Sequence, residues 1–258
     1  MKPASRHAET IVGLLTLPAF LLAWELVSRF VVDKPKVFPP ASAALLALGK
    51  LVADGTLFMD ALVSVARVLT GFALGAAAGI ALGIWTSRSR LAYASVGQLL
   101  RLLRNVSPVV LVPFSIVWFE YSEVGKSFII VWGVVFVVWI NAHVGISSID
   151  NKFLWAAASL GIPERAVAFK IAPLAALPVV LAGARSALGI AMICVVVAEM
   201  SASGATQGLG YRVSINYQIF RVDQMMAALC VLALVGFALD RIFVRVCRWR
   251  FPWVTWNL

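Results

Sequence analysis

Long apolar stretches dominate the chain, and their lengths predict membrane-spanning helices. A helix needs about 20 largely apolar residues to cross a bilayer. The pattern predicts six spans, at residues 10–32, 62–85, 105–121, 127–149, 174–200 and 224–246. These spans predict an all-α integral membrane protein with about six transmembrane helices in a single domain, residues 1–258.

The third predicted span contains two prolines, Pro108 and Pro113. Proline removes a backbone donor and clashes with the preceding turn, so we expect this helix to be kinked or broken. Broken membrane helices occur where they are packed in protein or line a cavity. A separate short amphipathic helix is expected at 42–53, on the external surface, with Ser42 as its N-cap.

The second predicted span carries a glycine every four residues. Gly71, Gly75, Gly79 and Gly83 therefore share one stripe of the helix. Small residues at this spacing let two helix backbones approach closely. The stripe is interpreted as a packing surface, and a flexible or ligand-contacting helix is the alternative.

A moderately polar, alanine-rich insert, residues 151–171, separates the fourth and fifth predicted spans. Gly161 permits a turn, and Pro163 suits the first position of a following helix. The insert is interpreted as a cytoplasmic coupling helix offered to a soluble partner. A solvated interfacial loop is the alternative.

Composition and charge support the membrane interpretation. The chain is 62% hydrophobic and carries a net charge of +10, whereas soluble domains are about 45–50% apolar. Lys and Arg concentrate in the predicted loops, which by the positive-inside rule places both termini in the cytoplasm. A nucleic-acid surface would need clustered charge with stacking aromatics, so no nucleic-acid partner is expected.

Enzymatic motifs are lacking. No catalytic triad or zinc-protease motif occurs, and the three cysteines form no metal-ligand pattern. The segment Glu120–Ser127 ends like a phosphate-binding loop, but Glu120 stands where that loop requires its first glycine. We therefore expect no cofactor or metal on this chain, and any ATP hydrolysis on another chain.

Ionisable groups within the spans are costly, about 2.5–3.5 kcal/mol at a helix centre. For Arg185, pairing with another side chain is favoured over a role in the pathway. Glu199 is expected to be solvated near the outer end of its span. The side chain of Arg67 is expected to extend to the membrane interface. No acidic residue is expected in the middle of a span. The polar candidates for a translocation pathway are Asn105, Ser107, Asn141, His143, Arg185 and Glu199.

Several motifs carry a family resemblance. Ala156, Ala157, Gly161 and Ile171 match an EAA-type cytoplasmic loop, although Trp155 replaces its Glu and Pro173-Leu174 reverses its Leu-Pro. Further matches lie at Phe38–Ser42, Ser64–Phe72, Leu103–Pro108, Val197–Met200 and Gly208–Gly210. Together they resemble the inner-membrane permease subunits of bacterial ABC importers, within the nitrate/sulfonate/taurine/bicarbonate permease family.

The resemblance implies a multi-pass permease of the bacterial inner membrane for a small anionic or organic-acid solute. It implies a second permease copy, two cytoplasmic ATPase subunits that hold ATP and Mg, an external substrate-binding protein, and contact with membrane lipid. The residues expected to couple to the ATPase are Ala156, Ala157, Ser159, Gly161, Ile162, Pro163, Glu164 and Arg165. A stand-alone secondary transporter or channel is the alternative, and a membrane enzyme or scaffold has least support.

Overall fold

The computed structural model describes residues 6–32, 37–149, 155, 159–163, 166–167, 171–201 and 206–254. Throughout these residues the regular structure is helical. The helices are α1 (Arg6–Leu26, continued by a π-helical turn Val27–Val32), α2 (Ala41–Ala53), α3 (Thr56–Arg88), α4 (Arg90–Ala92), a π-helical turn Tyr93–Gly97, α5 (Gln98–Leu103), α6 (Leu111–Phe119), α7 (Glu123–Ser147), α8 (Ala172–Ser201), α9 (Leu209–Gln218) and α10 (Val222–Arg250). The protein is an all-α membrane protein.

Four described helices, α3, α7, α8 and α10, are long and apolar enough to cross a membrane. A helix satisfies its backbone hydrogen bonds internally, which a segment surrounded by lipid requires. Half of the apolar window of α7 and of α8 is buried inside the protein, against 28% for α3 and 22% for α10. The centre of the molecule is therefore the α7–α8 pair.

The glycine stripe of α3 packs against α7, and its register fixes the relative direction of the two helices. A methyl group built on Gly75 would lie 2.8 Å from Cβ of Val134, and one on Gly79 would lie 2.8 Å from Cβ of Val138. Residue numbers rise together along the contact, so α3 and α7 run parallel. The stripe is a close-packing surface.

Because α3 and α7 are parallel, the chain must cross back between Arg88 and Glu123. The third predicted span, 105–121, was expected to be kinked or broken, and it is not one continuous helix: α6 has nine residues and rises only about 14 Å. The return crossing starts at Arg90 and has two helical parts separated by turns at residues 104–110. Pro108 explains the break, because the residue before a proline avoids the helical region.

The remaining helices alternate in direction. Gly145 of α7 packs against Val179 of α8, whereas Gly133 packs against Ile190, so these two helices are antiparallel. On α10, Asp240 contacts Arg185 of α8. Gly236 lies farther back along α10 and contacts Met192, farther along α8, so α8 and α10 are also antiparallel.

These directions define two sides of the protein. The ends of α3, α7 and α10 and the start of α8 share one side, which we call the coupling side. The ends of α8 and α6 and the starts of α3, α7 and α10 share the opposite side. Helix α1 ends on the opposite side, because Trp24 and Val27 line a groove with Met226 near the start of α10.

Candidate functional site

The described residues of the insert lie on the coupling side and present an exposed apolar surface. Gly161 has φ +68°, a left-handed conformation that favours glycine, and no atom of the described residues lies within 4 Å of its Cβ position. Trp155 is 70% exposed and Leu160 is 77% exposed. Two large apolar side chains beside a glycine turn are suited to contact with another protein.

The turn is organised by local hydrogen bonds. Ser159 Oγ donates to the carbonyl of Trp155 at 3.0 Å, and the backbone N–H groups of Ala166 and Val167 donate to the carbonyl of Pro163. Ile162 is half-buried and Pro163 is exposed. The other expected coupling residues, Ala156, Ala157, Glu164 and Arg165, lie outside the described residues.

A cavity of about 460 Å³ lies where the return crossing is broken. Its lining residues include Arg104, Pro108 and Gly133. Trp132 donates from Nε1 to the carbonyl of Val106 at 3.2 Å, which ties the break to α7. Trp132 is nine residues into α7, so the break lies about 14 Å from that helix's start, at the depth of the spans.

Two expected pathway residues lie at this break. Asn105 and Ser107 are both exposed. The Asn105 amide donates to the carbonyl of Arg101 at 2.9 Å, and the Ser107 carbonyl accepts from the backbone of Val110.

Two further candidates are packing residues. Asn141 donates to the carbonyl of Val137 in its own helix and lies against Gly183 of α8. His143 is buried, its ring is stacked on Tyr93 at a centroid distance of 4.2 Å, and its Nδ1 lies 3.1 Å from Thr86 Oγ1. Neither lines the cavity at the break.

Arg185 forms an ion pair between α8 and α10. Its Nε and Nη2 donate to the two carboxylate oxygens of Asp240 at 2.6 and 2.7 Å. Both side chains are about one-third exposed. The sequence analysis did not single out Asp240, which lies within the sixth predicted span and inside α10.

Glu199 is fully buried, at 0% exposure, so the expected solvation of this carboxylate is wrong. It accepts hydrogen bonds from Ser64 Oγ, Arg67 Nη1 and the backbone N–H of Gly210 at 2.8–2.9 Å. Arg67, expected to extend to the interface, is 8% exposed and also pairs with Glu123 at 2.6 Å. The charges of Arg67 and Glu199 can be buried because they neutralise each other.

We call this set of residues the opposite-side polar cluster. It comprises Asp60, Ser64, Arg67, Glu123, Lys126, Glu199 and Arg212. Asp60 is 1% exposed and accepts from the backbone N–H of Gly208 at 3.0 Å and from Arg212 Nε at 2.8 Å.

The cluster fixes the residues that lead directly into α9. Gly208 has φ +131°, and a methyl group there would lie 2.5 Å from Cδ of Glu199, so only glycine fits. Asp60, Ser64 and Arg67 are spaced four and three residues apart, which places them on one face of α3. That spacing was visible in the sequence, whereas the contact with a loop about 140 residues away was not.

Comparison with known proteins identifies a family of transport proteins that this chain resembles. A family model described as the binding-protein-dependent transport system inner membrane component matches residues 71–249. A Bacillus subtilis protein named as an aliphatic sulfonates transport permease is 33% identical over 246 residues, 95% of this chain and 88% of the relative. The taurine transport system permease of Escherichia coli is 28% identical, covering 97% and 92% of the two chains. The bicarbonate transport system permease of Synechococcus elongatus is 30% identical, covering 76% and 70%.

Proposed function

The chain belongs to the family of binding-protein-dependent transport system inner membrane components, and from that premise we propose that it forms half of an ATP-driven import pathway for a small anion. Relatives named for sulfonates, taurine and bicarbonate support this solute class. An external binding protein delivers the solute, and two ATPase subunits hold ATP and Mg.

The observation that carries the proposal is the exposed apolar surface of the insert. Trp155 and Leu160 are exposed on the coupling side, next to the left-handed turn at Gly161. An ATPase subunit that docks on these two side chains buries them and can transmit its own movement to the insert. The insert connects directly to α7 and α8, so a push there reaches the two most buried helices.

Charge supports a cytoplasmic assignment for the coupling side. The helix ends on that side carry Arg88, Arg90, Arg245, Arg248 and Arg250. The helix ends on the opposite side carry both signs, among them Glu25, Arg29, Asp54, Glu123 and Asp223. Because basic residues are retained on the cytoplasmic side of membrane proteins, both ends of the described chain face the cytoplasm.

The broken crossing is the proposed pathway lining. Irregular backbone at membrane depth is tolerated where it lines a cavity, and the cavity beside Arg104 supplies positive charge for an anion. Val109 and Val110 are exposed next to this break. A second copy of the chain, packed against this face, closes the pathway from lipid.

Substitutions at Gly161 test the coupling role without disturbing the core. Gly161→Val forces a β-branched residue into the left-handed region, whereas Gly161→Asn introduces a residue that tolerates this conformation. No described atom lies within 4 Å of the Cβ position, so the two variants differ chiefly in how well they tolerate the backbone conformation. We expect the Val variant to lose co-purification with the cognate ATPase and the Asn variant to retain it.

Solute uptake measured with and without ATP separates the proposal from a stand-alone transporter. ATP-dependent uptake requiring the ATPase subunit and the binding protein is the expected result. Equal ATPase recovery from the Val and Asn variants would contradict the coupling role, and uptake by this chain alone, driven by an ion gradient, would contradict the importer.

A further inference from the structure

A basic groove of about 760 Å³ lies between α8 and α10, towards the coupling side. The groove is lined by Arg185, Phe237, Asp240, Arg241, Val244, Arg245 and Arg248. Both carboxylate oxygens of Asp240 already accept hydrogen bonds from Arg185. The groove therefore carries the positive charge of Arg241, Arg245 and Arg248.

These three arginines form a stripe along the last turns of α10. Their spacing of four and three residues places them on one helix face, over a rise of about 10 Å. Arg241 lies 4.8 Å above the ring of Phe237. Among the described residues, Arg245 and Arg248 have no acidic partner, so their donors are free to bind an anion.

An apolar stripe runs immediately beside the basic one. Ile242, Val246 and Trp249 each follow one of the arginines, and they are 58%, 54% and 83% exposed. Exposed aliphatic side chains with a terminal tryptophan are typical of a helix that meets lipid near the interface. Helix α10 is also the least buried of the four long helices.

We propose that this groove binds the phosphate of an anionic phospholipid, with the acyl chains against Ile242, Val246 and Trp249. Basic pockets between transmembrane helices on the cytoplasmic side bind anionic head groups. The adjoining apolar stripe favours a lipid over a free anion, because a soluble phosphate has no acyl chains to pack against these side chains. The bound lipid bridges α8 and α10 beside the Arg185–Asp240 pair.

Native mass spectrometry of the purified full-length chain in detergent tests the site. Phosphatidylglycerol and phosphatidylcholine with identical acyl chains are added separately. We expect phosphatidylglycerol to remain bound to the wild-type chain and phosphatidylcholine to be lost. The double variant Arg245→Gln/Arg248→Gln should bind phosphatidylglycerol about thirtyfold less well, since each basic residue near an anionic surface contributes about one kilocalorie per mole.

Arg250→Gln is the matched control, because Arg250 is also exposed at the end of α10 but does not line the groove. It should retain phosphatidylglycerol. Both altered arginines are exposed, so we expect the double variant to fold, and its melting temperature without added lipid checks this. If it is unfolded, the single variant Arg245→Gln replaces it, with a smaller expected loss.

Three results would overturn the inference. One is equal retention of phosphatidylglycerol by wild type and double variant. Another is displacement of the lipid by glycerol phosphate at equal concentration, which would assign the groove to a soluble anion. The last is loss of ATPase co-purification from the double variant with unchanged lipid binding, which would assign the arginines to the partner protein. None of these readouts depends on which solute is transported.

Discussion

Glu199 and Glu123 provide a test of how burial changes the contribution of an ion pair to the stability of the protein. Both carboxylates contact Arg67, at 2.8 and 2.6 Å. The Glu199 side chain is 0% exposed and that of Glu123 is 62% exposed. Replacing each with glutamine makes the same chemical change against the same guanidinium, and Glu123 in addition loses its pair with Lys126.

We expect Glu199→Gln to be the costly change. An amide nitrogen cannot accept from Ser64 or Gly210, and Arg67 loses its buried counter-charge. Breaking a buried pair costs about 3–5 kcal/mol, and because Arg67 keeps Glu123 we expect about 3 kcal/mol. Glu123→Gln removes two pairs that share an exposed carboxylate, with Arg67 and with Lys126, worth about 1 kcal/mol together.

Thermal unfolding in detergent measures the difference. Cys194 and Cys247 are buried, so a thiol-reactive fluorophore labels them as the helices separate. At roughly 2–4 °C per kcal/mol, Glu199→Gln should lower Tm by roughly 6–12 °C, and Glu123→Gln by no more than about 4 °C. The double variant should lose more than the sum, because Arg67 then has no carboxylate. Equal losses from the two single variants would refute the reasoning.

Three further predictions address packing, the pathway and the histidine network. Gly79→Ala should destabilise the protein, because its methyl group would lie 2.7 Å from a backbone oxygen of α7. Gly189→Ala, whose methyl group meets no described atom within 4 Å, should raise Tm slightly. Similar Tm changes from the two variants would contradict the packing surface. Arg104→Gln should reduce uptake of an anionic solute with unchanged ATPase recovery, and unaltered uptake would remove Arg104 from the pathway. Thr86→Val should cost about 1–3 kcal/mol, because Trp139 Nε1 and His143 lose their shared hydroxyl partner; an unchanged thermal melt would show that this network is dispensable.

The number and lengths of the apolar runs, read from the sequence, predicted an all-α membrane protein, because lipid forces a helix to contain about 20 apolar residues. The glycine spacing likewise predicted a packing face on α3, since a period of four is a property of the helix itself. Prolines at 108 and 113 predicted a break in the third span. The resemblance of short motifs predicted the transporter family, which the comparisons confirm.

Tertiary structure decided which polar residues meet. Arg67 and Glu199 are separated by about 130 residues, and periodicity within a helix says nothing about which distant helix supplies a counter-charge. The same limit hid the partner of Arg185, because Asp240 belongs to another helix. It also hid the direct packing of α3 against α7. Local sequence determines the elements, since their hydrogen bonds are local, while the pairing of buried charges depends on how those elements pack.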